Sequence, residues 1–380
     1  FGSVALHSPP LPYSPLLATR SMAKQYDEGP VKLDNGIVIG GEWKVMKKLG
    51  EGGCGAVYMV ESTRDQKKAA LKAESNFVEG GSVLKIEVDI LSKLKGKKHV
   101  PELIHAGKKE KYQYIVMSLL GESLAEVLKS CGKSLSVSTQ LRLGIQVLYG
   151  LKQIHDAGFV HRDIKPANLG LGNRDGGTDP NFIYVLDFGL SRAYVTKEKD
   201  GELVLRKPRK HALFRGTIRY CSAAANEKQD QSRVDDLWSL LYVMVELRGQ
   251  LPWNKLKEKK ELAEAKRAVD DDTLFSKCPP QLKDFAAHLR SLDYWTRPDY
   301  LLLYKILAES MTEGGHKFTD PWDWQLKNKD GSSKGSSKSA KRSKSSKGGA
   351  KKSAKERTME VPGEEKPFCD EDFRSNPLGF

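Results

Sequence analysis

The chain has 380 residues, 39% of them hydrophobic, and a formal net charge of +14. That length and apolar share support one large domain or two lobes with a real core, and they exclude wholesale disorder. No apolar run approaches the ~18 residues of a membrane span; the best candidate, Leu237 to Leu247, is short and contains Glu246.

Residues 1–36 carry Pro9, Pro10, Pro12 and Pro15 followed by a polar stretch. They read as an unstructured leader rather than a transit peptide, because the prolines spoil an amphipathic helix. At Trp43 the pattern becomes strand-like and leads into Gly50-Glu51-Gly52-Gly53-Cys54-Gly55. A bare GxGxxG is weak evidence, but Val57-Tyr58-Met59-Val60 after it reads as a second strand and not a helix. The glycines therefore sit at a hairpin, where missing side chains let backbone amides close over nucleotide phosphates. Ala69 to Lys72 predicts a third strand. A helix is expected from near Ser82, with Val83, Ile86, Ile90, Leu91 and Leu94 on its buried face and Glu87 along it. Tyr114 to Gly121 is an apolar strand ending in a glycine.

Helical patterns follow at Ser123–Ser130 and Ser138–Ala157. In the second, Leu141, Ile145, Leu148, Leu151 and Ile154 form one apolar stripe. Next comes the stretch that organises the chain, His161-Arg162-Asp163-Ile164-Lys165-Pro166-Ala167-Asn168, then a Gly-, Asp- and Asn-rich surface hairpin over 170–180. The strand Phe182 to Leu186 delivers Asp187-Phe188-Gly189. Moving a phosphoryl group from a nucleotide to a hydroxyl needs a carboxylate for the proton, a cation for the transferred group and two oxygen ligands for magnesium. A long basic segment runs from Leu190 to Tyr220. Asp235-Asp236-Leu237-Trp238 then opens an apolar helix, and Leu-rich helices continue to about Met311. From Lys327 to Arg357 twelve Lys or Arg face only Asp330 and Glu356, so this run holds +10 of the net charge. A Lys, Ser, Gly and Ala composition cannot bury enough surface to offset ordering entropy, and a disordered tail is expected over 326–358. Phe368, Phe373, Leu378 and Phe380 return in the last segment, 359–380, whose structure the sequence does not give.

With these residues side by side, the chain resembles a eukaryotic protein kinase. Gly50-x-Gly52-x-x-Gly55, Lys72, Glu87, His161-Arg162-Asp163 through Asn168, and Asp187-Phe188-Gly189 match that family's set in order and spacing, and Lys165 is the serine/threonine form. Ala-Pro-Glu is absent, with Ser222-Ala223-Ala224-Ala225-Asn226 in its place. Together with Gly216-Thr217-x-Arg219-Tyr220, this is similar to the casein kinase 1 superfamily. Phe214-Arg215-Gly216-Thr217, Trp238, Gln250-Leu251-Pro252-Trp253 and Ser291-Leu292-Asp293-Tyr294 point to its tau-tubulin kinase branch. The resemblance covers residues from about 40 to about 325.

The resemblance implies a two-lobed α+β fold over 37–325. An antiparallel N-lobe of about 37–120 carries one main helix, a mainly helical C-lobe spans about 121–325, and ATP lies between them. It implies a nucleotide site of Leu49, Gly50, Glu51, Gly52, Gly53, Cys54, Gly55, Val57 and Ala70. Lys72 would meet the α- and β-phosphates with Glu87 fixing its rotamer, Met117 would limit depth, and Ser118 and Leu119 would read the adenine edge. Asp163 would accept the proton from a substrate Ser or Thr, Lys165 would neutralise the γ-phosphoryl group, and Thr217 would hydrogen-bond that pair. Asn168 and Asp187 would hold Mg²⁺ with hard oxygen donors, and Asp236 would brace the loop from below. Cys54 departs from the aromatic residue common at this loop tip, and a tolerated small residue is the favoured reading over a reactive thiol.

Lys207, Arg209, Lys210, Arg215 and Arg219 form a basic cluster, read either as an anion site favouring acidic or primed substrates, centred on Arg215 and Arg219, or as a solvated loop. The tail reads as a spacer, a nuclear-import signal around Lys341-Arg342, or a tether for acidic partners such as nucleic acid or tubulin tails. Five cysteines, Cys54, Cys131, Cys221, Cys278 and Cys369, lie scattered without CxxC spacing. They argue against a zinc site or a disulfide framework and fit a cytoplasmic location, with the nucleus as a further one. A monomer is expected. The alternatives to an active kinase are a pseudokinase scaffold and a cationic-tail adaptor.

Overall fold

The computed structural model describes residues 30–52, 55–77, 81–132, 134–332 and 367–380. The N-terminal lobe follows from alternation. Along β3 (Gly55–Ser62), Ala56, Tyr58, Val60 and Ser62 are buried while the residues between them are not. This strand sits in one six-stranded antiparallel sheet with β1 (Val38–Ile39), β2 (Trp43–Gly52), β4 (Lys68–Ser75), β5 (Leu103–Lys108) and β6 (Tyr112–Ser118), in the order β1-β2-β3-β4-β6-β5. Helix α1 (Leu84–Lys93) crosses between β4 and β5 and buries Leu84, Glu87, Ile90 and Leu91.

The chain enters this sheet earlier than the sequence predicts. β1 precedes Trp43, and residues 30–36, expected within the leader, lie along the sheet. The Tyr58 hydroxyl donates to the Val31 carbonyl at 2.6 Å and accepts from the Leu33 N–H at 3.1 Å. A tertiary partner 25 or more residues away fixes this segment, and local composition does not encode it. The rest of the leader, 1–29, lies outside the described residues.

The C-terminal lobe contains α2 (Leu124–Ser130), α3 (Val137–Asp156), the short strands β7 (Phe159–Val160), β8 (Leu169–Leu171), β9 (Ile183–Val185), β10 (Arg192–Ala193), β11 (Val195–Lys197) and β12 (Leu203–Leu205), and helices α4 (Ala223–Asn226), α5 (Arg233–Arg248), α6 (Lys259–Ala268), α7 (Asp271–Leu274), α8 (Leu282–Arg290), α9 (Tyr300–Glu313), α10 (Asp323–Ser332) and α11 (Asp370–Arg374). The fold is the mixed two-lobed one expected: an antiparallel sheet with one helix, above a helical body. Ser123 opens α2 with a capping box, its hydroxyl accepting from Glu126 N–H while the Glu126 carboxylate takes the Ser123 N–H,. The expected stripe of α3 is fully buried, but so are Arg142, Gln146, Lys152 and His155 on its other sides. The Arg142 guanidinium donates to the carbonyls of Asp320 (2.5 Å) and Pro321 (3.0 Å) and lies 4.0 Å over the Trp322 ring.

Two boundaries differ from expectation at the C-terminal end. The composition turns at Lys327, yet α10 continues through Ser332; its first turn is fastened to the lobe, with Trp322 stacked on Trp324 and the Asp323 carboxylate accepting the Ser136 N–H at 2.8 Å. The remaining stretch of the expected tail, 333–358, lies outside the described residues. The last segment returns to the C-terminal lobe. Phe373 of α11 is fully buried, its ring stacked 4.2 Å from Tyr304 of α9, and Phe368 is 6% exposed against Tyr149 of α3. Burying each phenylalanine stabilises the fold by about 1.5–3 kcal/mol.

Behind α1, His99 joins the two lobes. Its Nδ1–H donates to the Ile183 carbonyl at 2.9 Å, its carbonyl accepts the Val185 N–H at 2.9 Å, and its Nε2 is buried with no hydrogen-bond partner. Burial pulls this imidazole down to about 4. The unfolded chain therefore binds one more proton than the folded one between about pH 6.5 and about pH 4, so stability falls as pH drops through that window. The loss is about 3 kcal/mol at the acid end. Urea unfolding at about pH 7 and about pH 4.5 reads it. The wild type is expected to lose clearly more than His99→Gln, and equal losses would rule out His99 as the cause.

Candidate active site

The cleft between the lobes, about 570 Å³, gathers residues from seven separate stretches of chain. Its roof is the hairpin of β2 and β3, where Gly52 pairs with Gly55. Gly55 has φ +110°, and a Cβ there would come within 2.2 Å of the Ala73 carbonyl oxygen, so no other residue fits,. Leu49, Val57, Ala70 and Met117 supply apolar walls. Gly50 and Glu51 belong to the hairpin but not to the wall, and Gly53 and Cys54 lie outside the described residues, the reading of that thiol with them.

At the back, Lys72 of β4 is 6% exposed and bonded to Glu87 of α1, with Asp187 Oδ1 3.0 Å from its Nζ. Burial opposes a charge on Lys72, but the two carboxylates outweigh it and raise its pKa, so it stays an ammonium,. Burial also opposes the charge on Asp187, yet Lys72 and the Gly189 N–H hold that carboxyl below its usual range. Asp187 has φ +63°, in the left-handed region, and Phe188 beside it is buried edge-on against His161 at 5.4 Å.

The loop from His161 to Asn168 forms the floor. Asp163 accepts from Thr217 Oγ1 at 2.8 Å through Oδ1 and from Lys165 Nζ at 2.7 Å through Oδ2. Lys165 reaches Thr217 Oγ1 at 3.2 Å as well. Asn168 spends its amide nitrogen on the Asp163 carbonyl at 2.9 Å and on Oδ2 at 3.1 Å, which leaves its oxygen for another partner. Gly216 has φ +117° and sits so close to the Arg162 carbonyl that a Cβ would approach to 2.6 Å. Beneath, the Asp236 carboxylate accepts from the His161 N–H (2.6 Å), the Arg162 N–H (2.7 Å) and His155 Nε2 (2.9 Å).

The stretch between the lobes, Tyr114 to Gly121, departs in part from expectation. Ser118 donates its N–H to the Glu102 carbonyl at 3.0 Å, so that group is unavailable to a nucleotide, and Leu119 is 5% exposed. Leu120 and Gly121, expected as the end of the Tyr114 to Gly121 stretch but not as nucleotide-site residues, line the cleft beside them, and Leu186 and Leu190 join from the C-terminal lobe. The basic cluster also changes. Arg219 is tied to Glu246, whose other oxygen takes the Tyr220 hydroxyl at 2.6 Å, and Arg209 forms a bidentate pair with Asp230 at 2.7 and 3.1 Å. Arg219 thus spends Nη2 on Glu246, while its Nε is buried without a hydrogen-bond partner; Arg215, Lys207 and Lys210 are exposed. The signal for Glu246 was present as the lone acid in an apolar run.

For metal, Asn168 and Asp187 offer hard oxygens. Among the described residues no group of three or more His, Cys, Asp or Glu side chains is placed to cage an ion. Two protein oxygens suit Mg²⁺, which takes its other ligands from phosphate and water. A larger hollow of about 760 Å³ lies beside Trp238 in the helical lobe. Its acids are already engaged, Asp235 with Ser222 and Ser232 and Asp271 with Arg290, so the chemistry belongs to the smaller cleft.

Residues 43–307 match the family model for the protein kinase domain. The chain belongs to the protein kinase family. Among its relatives, a Caenorhabditis elegans protein named as a serine/threonine-protein kinase is 44% identical over 93% of this kinase and 99% of the relative. A Dictyostelium discoideum protein named in the same way is 37% identical over 78% of this kinase and 59% of the relative. An inactive tau-tubulin kinase of C. elegans, ttbk-6, is 34% identical over 61% and 82%. This kinase is a serine/threonine-protein kinase, and its substrates are proteins.

Removing the Asp236 carboxylate strands three buried donors under the catalytic loop. Asp236→Ala is expected to lower unfolding free energy by about 3–5 kcal/mol. Urea titration checks it; a loss below about 1 kcal/mol would mean water replaces the carboxylate.

Proposed function

We propose that this kinase transfers the γ-phosphoryl group of ATP to Ser or Thr hydroxyls with Mg²⁺, and that it belongs to the casein kinase 1 superfamily on the tau-tubulin kinase-like branch. The observation that carries the reaction is Asp163, held by Thr217 and Lys165 in the cleft that Lys72 and Asp187 also line. Asp163 takes the acceptor hydroxyl's proton as the oxygen attacks. Lys165 neutralises charge spreading over the γ-phosphoryl oxygens, and Lys72, fixed by Glu87, holds the α- and β-phosphates. Asn168 and Asp187 would hold Mg²⁺, which when bound would supply further neutralisation of that charge. The branch is supported by Ser222-Ala223-Ala224-Ala225-Asn226 in place of Ala-Pro-Glu and by a relative named an inactive tau-tubulin kinase.

The pseudokinase alternative is disfavoured because Lys72, Asp163, Asn168 and Asp187 are all present and share one cleft. A preference for acidic or primed sites fits Arg215, Lys207 and Lys210, exposed on the segment after Asp187, better than Arg219. The basic tail is proposed as a salt-sensitive tether for acidic partners such as tubulin tails or nucleic acid. A cytoplasmic and nuclear monomer completes the reading; deleting 333–357 and comparing localisation tests the tail's part in it.

With ATP and Mg²⁺, Asp163→Asn is expected to cut phosphate transfer by about 10²–10⁴-fold while leaving the melting temperature nearly unchanged. A wild type without turnover would hand the chain to the pseudokinase reading. Arg215→Ala is expected to reduce the ratio of primed to unprimed peptide turnover several-fold, about as much as one charge-assisted contact; an unchanged ratio removes the anion site.

A further inference from the structure

We propose that residues 367–380 form a built-in clamp that sets the catalytic geometry, and that the kinase needs this segment for turnover and not only for stability. The inference rests on the phosphotransfer reading above, since it concerns what positions that site. The clamp grips the C-terminal lobe at both of its ends. At its start, the Phe368 ring lies 5.7 Å from the His99 ring and 5.3 Å from Tyr149. His99 receives the Val185 N–H and donates to Ile183, and so fixes the strand β9 that ends two residues before Asp187. At its finish, the Phe380 carbonyl accepts from Arg233 Nη1 at 3.1 Å. Arg233 opens α5, three residues before the Asp236 that pins the catalytic loop.

Between these ends the segment is fastened at several points. Phe373 stacks on Tyr304, the Lys152 ammonium donates to Ser375 Oγ at 2.7 Å, and Arg297 Nη2 donates to the Ser375 carbonyl at 2.8 Å. Ser375, Asn376 and Pro377 also wall a hollow of about 410 Å³ whose other side includes Lys93, Leu94 and Lys97, at and just past the end of α1. Helix α1 carries Glu87. The segment therefore reaches three of the elements that position the site: it bonds α5, which carries Asp236, it meets β9, which leads to Asp187, through His99, and it faces the end of α1, which carries Glu87, across that hollow. Its covering of His99 matters most, because that residue is held at φ +62° with a buried, unpartnered Nε2, a joint that outside packing must over-determine,.

Phosphate transfer by the full chain is compared with that of a chain ending at residue 366 and with Phe368→Leu, a milder change expected to keep the fold. An inactive full chain would sink the phosphotransfer reading itself; the clamp is judged only on an active one. Truncation is expected to lower kcat/KM for ATP by about 10–100-fold, the size of effect a small displacement of catalytic groups produces. Glu87→Gln, costly in the full chain, should add little after truncation, because the Lys72–Glu87 pair would already be loosened. A synthetic peptide of residues 367–380 added in trans should restore turnover to the truncated chain. Phe368→Leu should lower turnover at a temperature where circular dichroism shows it folded. A truncated chain with unchanged kcat/KM and a full Glu87→Gln penalty overturns the clamp even if its melting temperature falls, and so does one that becomes more active.

Discussion

A single carboxylate with almost no water around it, Asp236, sets the backbone on which the rest of the site is built. It sits 1% exposed at the start of α5 and accepts the N–H groups of His161 and Arg162. Burial works against its charge, but His155 and the backbone donors hold its carboxyl below the usual range,. The Tyr300 hydroxyl donates to the other imidazole nitrogen of His155 at 2.6 Å, which fixes the tautomer that faces Asp236. The loop above is not relaxed: Arg162 has φ +69°, a position that costs on the order of 1–3 kcal/mol,. Two charge-assisted hydrogen bonds to adjacent backbone amides are of comparable size. The strained loop persists because the carboxylate below it offsets the strain, and Asp163 is thereby aimed before any substrate arrives.

Much of this was legible in the sequence because phosphoryl transfer leaves little freedom in residue type. The positions of Lys72, Glu87, Asp163, Lys165, Asn168, Asp187 and Thr217 were all named from motif and resemblance, and all seven line one cleft. The sheet was legible because β3 alternates, and the central helix because its apolar stripe has a clear period. What escaped was tertiary. Nothing local marks residues 30–36 as partners of Tyr58, or the Phe368 and Phe373 pair as the cover of α3 and α9. Leu120 and Gly121 read as the end of an apolar strand, a pattern that does not by itself mark them as walls of the cleft. Lys266 also escaped: on an otherwise polar helix it reads as solvated, yet it donates to the carbonyls of Ile218 (2.7 Å) and Cys221 (2.6 Å) and to Asn226 Oδ1 (2.9 Å). It fastens the segment that stands where Ala-Pro-Glu would be.

Charge counting misled in one respect that the structure explains. A run of arginines and lysines reads as free positive surface, but Asp230 and Glu246 arrive from distant positions and neutralise Arg209 and Arg219. Asp230 is nearly buried, lies 3.9 Å from Arg192, and takes the Arg209 N–H as well as its guanidinium. These arginines hold the segment between Asp187 and α4 against the body of the lobe. The tie between Arg219 and Glu246 is also next to the indole of Trp253, which donates to the Arg219 carbonyl at 2.9 Å. The same residues that suggest ligand binding when read along the chain act in the fold as fasteners.

The two ends of the described chain share a physical logic. Residues 30–36 lie along the sheet of the N-terminal lobe through Tyr58, and residues 367–380 lie on the C-terminal lobe through Phe368 and Phe373. Burial of those two phenylalanines stabilises the molecule by about 3–6 kcal/mol together. A whole domain is typically stable by only about 5–15 kcal/mol. A segment that contributes on that scale belongs to the fold, however far along the chain it lies. A domain boundary drawn where the composition turns polar, near residue 326, would therefore cut away part of the core. For this kinase the structural unit therefore includes residues 367–380, although they follow the point where the composition turns.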